Sequence, residues 1–509
     1  MARWNGTGVI PDLPGASADR RYWHAALAIT ALYTIWRLIL LATFPYGLHG
    51  DEAQYWTWAQ EPDWGYYSKP PMIAWLIALT TSVCGDSLFC IKVGSPLVHA
   101  ATGLIMFAFA RHLFDARTAF WVTALYGLMP AISLSNMLIT TDVLLLFFWA
   151  IGLYAFWRAL EEGAWGWWLM TGAALGLGMM SKYNMVIFFV SALLYVLATA
   201  RHRHWIMSPK PWAAGLLAAL IYLPNLLWNA ATGFVSYEHT QGLTQFHQAS
   251  WWPHGFFEFF ASQFGVFGPI LFAVLLFLLF RRFGVLWADD RMRYLLAFVL
   301  PWLAFVTVNS LASRVHANWS MPIYLTGLLL VCVWLLKQGR LGRVMLGATV
   351  AVHLLLAGGI YHYDAALKLA GVELRESVDP YKRVRGWPQL GEAVEAVQAR
   401  YPDATLMTTH RMLTAQLMYN VSPRMQTVVK WNPEGIIKDH YDLTTTLHGR
   451  EGQDFLYIRR PGRAPDFADR FESHRRVAEI RHPQGEYWWL DYDVFLLEGF
   501  LGYEDAETR

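Results

Sequence analysis

Residues 49–75 read HGDEAQYWTWAQEPDWGYYSKPPMIAW. Asp51, Glu52, Asp63 and Lys69 stand here among Tyr, Trp and a Pro-Pro pair, directly after a long apolar run. Charges and rings at the end of such a run belong to the edge of a bilayer, where an aromatic side chain has one apolar and one wet side. The composition agrees. The chain is 55% hydrophobic and 15% charged, against about 25% charged for a soluble protein.

Helical spans are expected near 25–45, 89–110, 118–134, 142–158, 165–181, 184–200, 211–229, 256–280, 294–312, 318–336 and 342–361, about eleven in all. Lysine and arginine set the orientation. With the N-terminus inside, the inner loops hold residues such as Arg111, Arg117, Arg158, Arg201, Arg203, Arg281 and Arg282. The outer loops hold little beyond Lys69, Lys92, Lys182 and Arg314. Residues 46–88, 135–141, 230–255 and 313–317 are thereby outer loops. The expected fold is an all-α polytopic membrane domain over 25–362, after a cytoplasmic segment 1–24. A small α/β domain over 363–509 follows on the outer face, with a helix at Trp387–Tyr401 and strands at Ala404–Thr409, Thr427–Trp431, Phe455–Arg459 and Asp493–Glu498. Within the first outer loop, a surface-lying aromatic helix is broken by Pro70-Pro71, and a short apolar helix, Met72–Val83, lies along the membrane. No cleavable signal peptide is expected. Cys84, Cys90 and Cys332 are expected to be packing residues.

The outer loops hold the candidate chemistry. Asp51 and Glu52 stand at the end of a span, and Asp142 stands in SNMLITTDVLLLFFW at the outer end of another. Each carboxylate either caps its helix or serves as an acid/base or orienting group. Lys69 either snorkels or holds a phosphate. Glu238-His239 lies in FVSYEHTQG, and Arg314 with His316 lies in SRVHANW. An arginine there suits a bidentate phosphate contact. Lys182 faces either a cavity or the headgroups. A phosphate head group on a lipid tail fits this set of cations, carboxylates and rings. There is no nucleotide-type phosphate loop, no HExxH and no GxSxG, so a donor should arrive in the membrane. No nucleic-acid partner is expected. A transporter of a lipid-linked sugar is the alternative, although no internal repeat is seen; a scaffold with purely capping carboxylates is a third reading.

The pattern Gly50-Asp51-Glu52-x-x-Tyr55-Trp56, then Tyr67-Ser68-Lys69-Pro70-Pro71 and Trp75, is joined by Thr141-Asp142, Ser181-Lys182 and His316-Ala317-Asn318-Trp319-x-x-Pro322. Together these resemble the bacterial protein-mannosyltransferase-like branch of the glycosyltransferase C (GT-C) superfamily, which includes the lipid A aminoarabinose transferases. The resemblance covers residues 25–360. It implies a multi-pass inner-membrane enzyme whose active site and C-terminal domain face the periplasm. Such an enzyme moves a sugar, with inversion, from a polyprenyl-phosphate carrier to lipid A, polysaccharide, glycolipid or protein. It implies Asp51 as catalytic carboxylate with Asp142 second and Glu52 beside them. Lys69, His239 and Arg314 are then carrier-phosphate ligands, with Tyr55, Tyr67, Lys182 and His316 around the donor. No cofactor is firmly implied; a divalent cation is left open. Ser68 stands where aminoarabinose transferases tend to carry an acid, which counts against that sugar and against a metal. Neither a β-trefoil insertion nor a Trp-Trp-Asp motif is seen.

Overall fold

The computed structural model describes residues 16–244, 253–313, 315–377, 379–485 and 488–503. Among the described residues, seven helices are long and apolar enough to cross a membrane: Ala18–Ala42, Leu88–Leu113, Thr141–Glu162, Pro209–Ala231, Asp290–Ala312, Ala317–Lys337 and Gly339–Tyr361. Two bent pairs, Tyr183–Ala198 with Ala200–Met207 and His254–Val266 with Pro269–Arg281, raise the number to nine if each is one span.

Against the expected eleven or so spans, the described residues hold seven to nine by this measure. The run at 256–280 bends by 119° at Gly268, whose φ of +99° is open to glycine and strained for other residues. His353 also fills the place of a Cβ there: its Nε2 would lie 1.9 Å away. The run at 118–134 stops as a 13-residue helix, Ala116–Leu128. Pro130 cannot continue it, and Met129 before it is driven to extended backbone (φ −50°, ψ 132°). The run at 165–181 is a 15-residue helix, Trp165–Met179, ended by a turn in which Lys182 is extended (φ −159°, ψ 131°). Both are shorter than the roughly 20 residues of a straight span.

The first outer loop forms two helices, Gly50–Gln60 and Met72–Cys84. Cys84 and Cys90 are joined in a disulfide, which corrects their reading as packing residues. The helix ends at Gly85 and Ser87 caps the next one, so the chain doubles back and brings the two sulfurs together. Cys332 is buried and free.

The C-terminal domain is built on one mixed sheet of β1 (Thr405–Thr408), β2 (Val428–Lys430), β3 (Phe455–Arg459), β4 (Phe471–Gly485) and β5 (Trp488–Phe500), in the order β2-β1-β3-β5-β4. β1 is parallel to β2 and β3, and β5 is antiparallel to β3 and β4. β4 had no counterpart in the sequence reading, and β5 is longer than expected. FESHRRVAEIRHPQG is charged because β4 is an edge strand, exposed over most of its length.

This domain sits on the first outer loop. The Arg411–Asn420 helix packs along Gly50–Gln60. Gln416 Nε2 donates to the Leu48 carbonyl at 2.7 Å, Tyr419 meets Trp56 edge-on at 4.9 Å, and the Thr57 and Tyr441 hydroxyls are 3.0 Å apart.

Candidate active site

The helix that carries Asp51 is capped by its neighbour. His49 Nδ1 accepts from the Asp51 N–H at 3.2 Å, and Glu52 Oε2 accepts from the His49 N–H at 2.7 Å. The capping reading of Asp51 is therefore replaced: the cap is His49, and the Asp51 carboxylate points elsewhere. Glu52 is sealed in. Lys92 pairs with its Oε2 at 2.9 Å, with both side chains at most 1% exposed, and its Oε1 accepts from the Ile139 N–H at 2.8 Å. The Asp51 side chain is 41% exposed. Its Oδ1 accepts from Arg411 Nη1 at 2.9 Å, and the same nitrogen donates to Gln54 Oε1 at 2.6 Å.

Lys69 ends a tight turn in which Tyr66 and Lys69 exchange backbone hydrogen bonds at 3.1 and 3.3 Å. Pro70-Pro71 then start the next helix. The Met72 N–H donates to the Met180 carbonyl at 3.1 Å. The backbone after Lys69 is thus tied to the turn that presents Ser181-Lys182. Lys182 Nζ donates to Asp142 Oδ1 at 2.6 Å, and Asn318 Nδ2 donates to Asp142 Oδ2 at 2.8 Å. Asp142 is therefore spent on side chains from two other segments, and it makes no capping bond to its own helix.

The Val235–Thr244 helix closes the site from the side. Ser236 Oγ donates to the Tyr66 carbonyl at 2.7 Å, and the His239 ring lies 5.0 Å from that of Tyr67. A cleft of 620 Å³ opens here, lined by Tyr67, Glu238, His239, Ile436 and Ile437 among others. One wall is the membrane domain and the other is the C-terminal domain.

These groups feel one another's charge. Burial alone would raise the Asp51 carboxyl, but Arg411, His49 and Lys69 outweigh it and hold it below its ordinary value. Burial pushes the Lys69 ammonium down to about 8, with Lys182 and Arg411 adding to the fall and Asp51 and Asp142 opposing it. Burial lowers His239 to about 4, helped by Lys69 and Arg411, so the imidazole is neutral at pH 7. The Tyr55 and Tyr67 phenols are raised, by burial first and then by nearby carboxylates. Asp51 and Asp142 are both among those acting on Tyr55.

The structure thus gathers Asp51, Tyr55, Tyr67, Lys69, Asp142, Lys182 and His239 at one rim of the membrane domain. Glu52 is adjacent but faces away, into the Lys92 pair. His316 is exposed, two residues before Asn318. Arg314 lies outside the described residues. Arg411, Asn318 and Gln54 were missed as site residues. Asn318 stood within the HANW motif, whereas nothing in the C-terminal sequence marked Arg411. Among the described residues, no three His, Cys, Asp or Glu side chains come together as a metal site. Arg411 on Asp51 and Lys182 on Asp142 each occupy one carboxylate oxygen.

Residues 68–228 match the family described as dolichyl-phosphate-mannose-protein mannosyltransferase. The lipid A galacturonosyltransferase RgtD of Rhizobium johnstonii is 30% identical over 439 residues, covering 83% of this chain and 88% of that protein. The chain belongs to the GT-C membrane glycosyltransferases. An undecaprenyl phosphate-alpha-4-amino-4-deoxy-L-arabinose arabinosyl transferase of Pseudomonas aeruginosa is 26% identical, over 72% of each chain. The crystal structure of ArnT from Cupriavidus metallidurans bound to undecaprenyl phosphate superposes with a TM-score of 0.60, covering 95% of this chain and 98% of that one at 16% identity. This likeness is one of fold. With membership among GT-C enzymes shown, the transporter and scaffold readings fall away.

Proposed function

We propose that this GT-C enzyme takes a uronic acid from a polyprenyl-phosphate carrier and gives it, with inversion, to a hydroxyl or phosphate group of lipid A on the periplasmic face. It is a multi-pass inner-membrane glycosyltransferase with a polyprenyl-phosphate donor, an envelope acceptor and a periplasmic C-terminal domain. A disulfide at Cys84–Cys90 suits that oxidising side. The choice of a sugar acid and of lipid A rests on the relative named as a lipid A galacturonosyltransferase. Polysaccharide, glycolipid and protein are the other acceptor classes.

One observation carries the reading. The half-exposed Asp51 carboxylate, held by Arg411 at 2.9 Å, shares the first outer loop with the Lys69 turn, whose Tyr67 lines the cleft between the two domains together with His239. The chemistry follows from that placement. An acceptor hydroxyl oxygen attacks the anomeric carbon as the bond from that carbon to the phosphate oxygen breaks. The hydroxyl proton passes to Asp51. The phosphate leaves with one more negative charge than it had in the donor, and Lys69 is placed to take up that charge. Asp142 holds Lys182 as a second cation. Neutral His239 has a ring N–H to donate, and Tyr55 and Tyr67 keep their phenolic protons. Arg314 and His316 remain further candidates for the phosphate. Glu52 has a structural part only, since its pairing with Lys92 leaves no proton-accepting face toward the cleft.

Mass spectrometry of lipid A, polysaccharide and envelope proteins from cells with and without the protein tests this. Loss of a hexuronosyl mass from lipid A in the deletion supports it. Unchanged lipid A with a mass lost from another acceptor moves the assignment to that acceptor.

A further inference from the structure

Arg411 is a charged residue that the C-terminal domain sends to the Asp51 carboxylate. It stands at the start of the Arg411–Asn420 helix and crosses 360 residues of sequence to reach Asp51. Nη1 makes both of its hydrogen bonds, to Asp51 and Gln54. Nε and Nη2 make none among the described residues, and the side chain is 36% exposed. Those two nitrogens share one edge of the guanidinium plane, the edge that binds a carboxylate through two parallel N–H bonds.

The charge around that edge is informative. Lys69, Lys182 and Arg411 face the carboxylates of Asp51 and Asp142, while Glu52 is neutralised by Lys92. The relatives split on their sugar. One is named for a galacturonosyl group, which carries an acid, and another for an amino-deoxy-arabinosyl group, which carries an amine. An ammonium brought between Lys69 and Arg411 is repelled, and a carboxylate is held.

We propose that Arg411 reads the carboxylate of the donor sugar through its Nε and Nη2 edge and so sets the donor specificity of the enzyme. This rests on the reading of the donor as a uronic acid. It has a consequence for the chemistry. A sugar carboxylate on Arg411 shares the charge that now restrains Asp51, so Asp51 becomes a better base when the correct donor is bound. The C-terminal domain thereby couples recognition of the sugar to proton transfer.

The test uses the full-length protein, lipid A as acceptor, and two synthetic donors, galacturonosyl- and galactosyl-phosphoryl-polyprenol. These differ only in a carboxylate against a hydroxymethyl group. The wild-type protein is expected to prefer the acid in kcat/KM by on the order of 100-fold. Arg411→Met is expected to bring the ratio of the two donors to within a few-fold of one, and Arg411→Lys to restore part of the preference. An Arg411→Met protein that keeps the full preference, or loses both donors alike as a broken domain contact would, overturns the assignment while the donor reading stands. A wild-type protein that transfers galactosyl and not galacturonosyl overturns both.

Discussion

Asp51 and Glu52 are neighbours on one helix and face opposite surroundings. Glu52 is sealed against Lys92 at 2.9 Å and is 1% exposed. Asp51 is half-exposed, with Arg411 at 2.9 Å and its side chain 41% exposed. Successive residues on a helix lie about 100° apart, so one turn supplies both the anchor that fixes the helix and the carboxylate that it presents.

Glu52→Gln should therefore damage the fold and not the chemistry alone. It leaves the Lys92 ammonium buried with the Met137 carbonyl and the Phe44 ring but no counter-charge. Breaking a buried pair on one side costs about 3–5 kcal/mol. Thermal unfolding in detergent should show a large drop for Glu52→Gln, partly recovered in the double variant with Lys92→Met. An unchanged melting temperature would mean that the pair holds nothing in place.

Asp142 and Lys182 should behave as a unit. Asp142→Asn puts an amide nitrogen against one of two donors, Lys182 or Asn318, and frees Lys182 from its position. Both Asp142→Asn and Lys182→Met are expected to weaken donor binding. The double variant should fall short of the sum by about 1–3 kcal/mol. Donor titrations on all four proteins measure this, and strict additivity would separate the two residues.

Lys69 gives donor binding a pH dependence of known sign. Its ammonium is lowered to about 8 by burial, and an anionic phosphate favours the charged form, so binding takes up a proton above that pH. A phosphodiester donor keeps its own charge throughout this range. Affinity should be flat below pH 8 and weaken by up to roughly tenfold per pH unit above it. Lys69→Met should bind more weakly and lose the slope. A slope that survives in Lys69→Met would belong to another group.

Gly65 lets the Lys69 loop approach the Pro209–Ala231 helix. A Cβ there would lie 2.4 Å from the Trp228 ring. That ring donates to Asp63 at 2.6 Å, and Asn225 donates to the Trp64 carbonyl at 2.7 Å. Gly65→Ala should displace the loop, costing about 1–3 kcal/mol, and raise KM for the donor. Steady-state kinetics with KM unchanged would show that the loop tolerates the shift.

Local patterns were legible in the sequence and long-range ones were not. Hydropathy located the spans, because an apolar run has few other uses, but it does not see a bend such as Gly268 or a stop such as Pro130. Asp51, Lys69, Asp142 and Lys182 stood out because a charge beside a span must meet water, a cavity or a partner. The HANW motif pointed at its segment without revealing that Asn318 bonds Asp142. β4 was missed because an exposed edge strand carries charge on both faces. The Cys84–Cys90 disulfide depends on a turn that an apolar context hides. Arg411 was invisible because its partner lies on another domain, where no spacing rule reaches.

The most direct measurement is turnover and donor binding of Asp51→Asn in the purified full-length protein. Asparagine keeps the oxygen that accepts from Arg411, and His49 still caps the helix, so the fold and the donor site should persist. Donor affinity is expected within a few-fold of wild type, with kcat down by about 10²–10⁴-fold. Turnover within a few-fold of wild type would show that Asp51 takes no proton in the reaction.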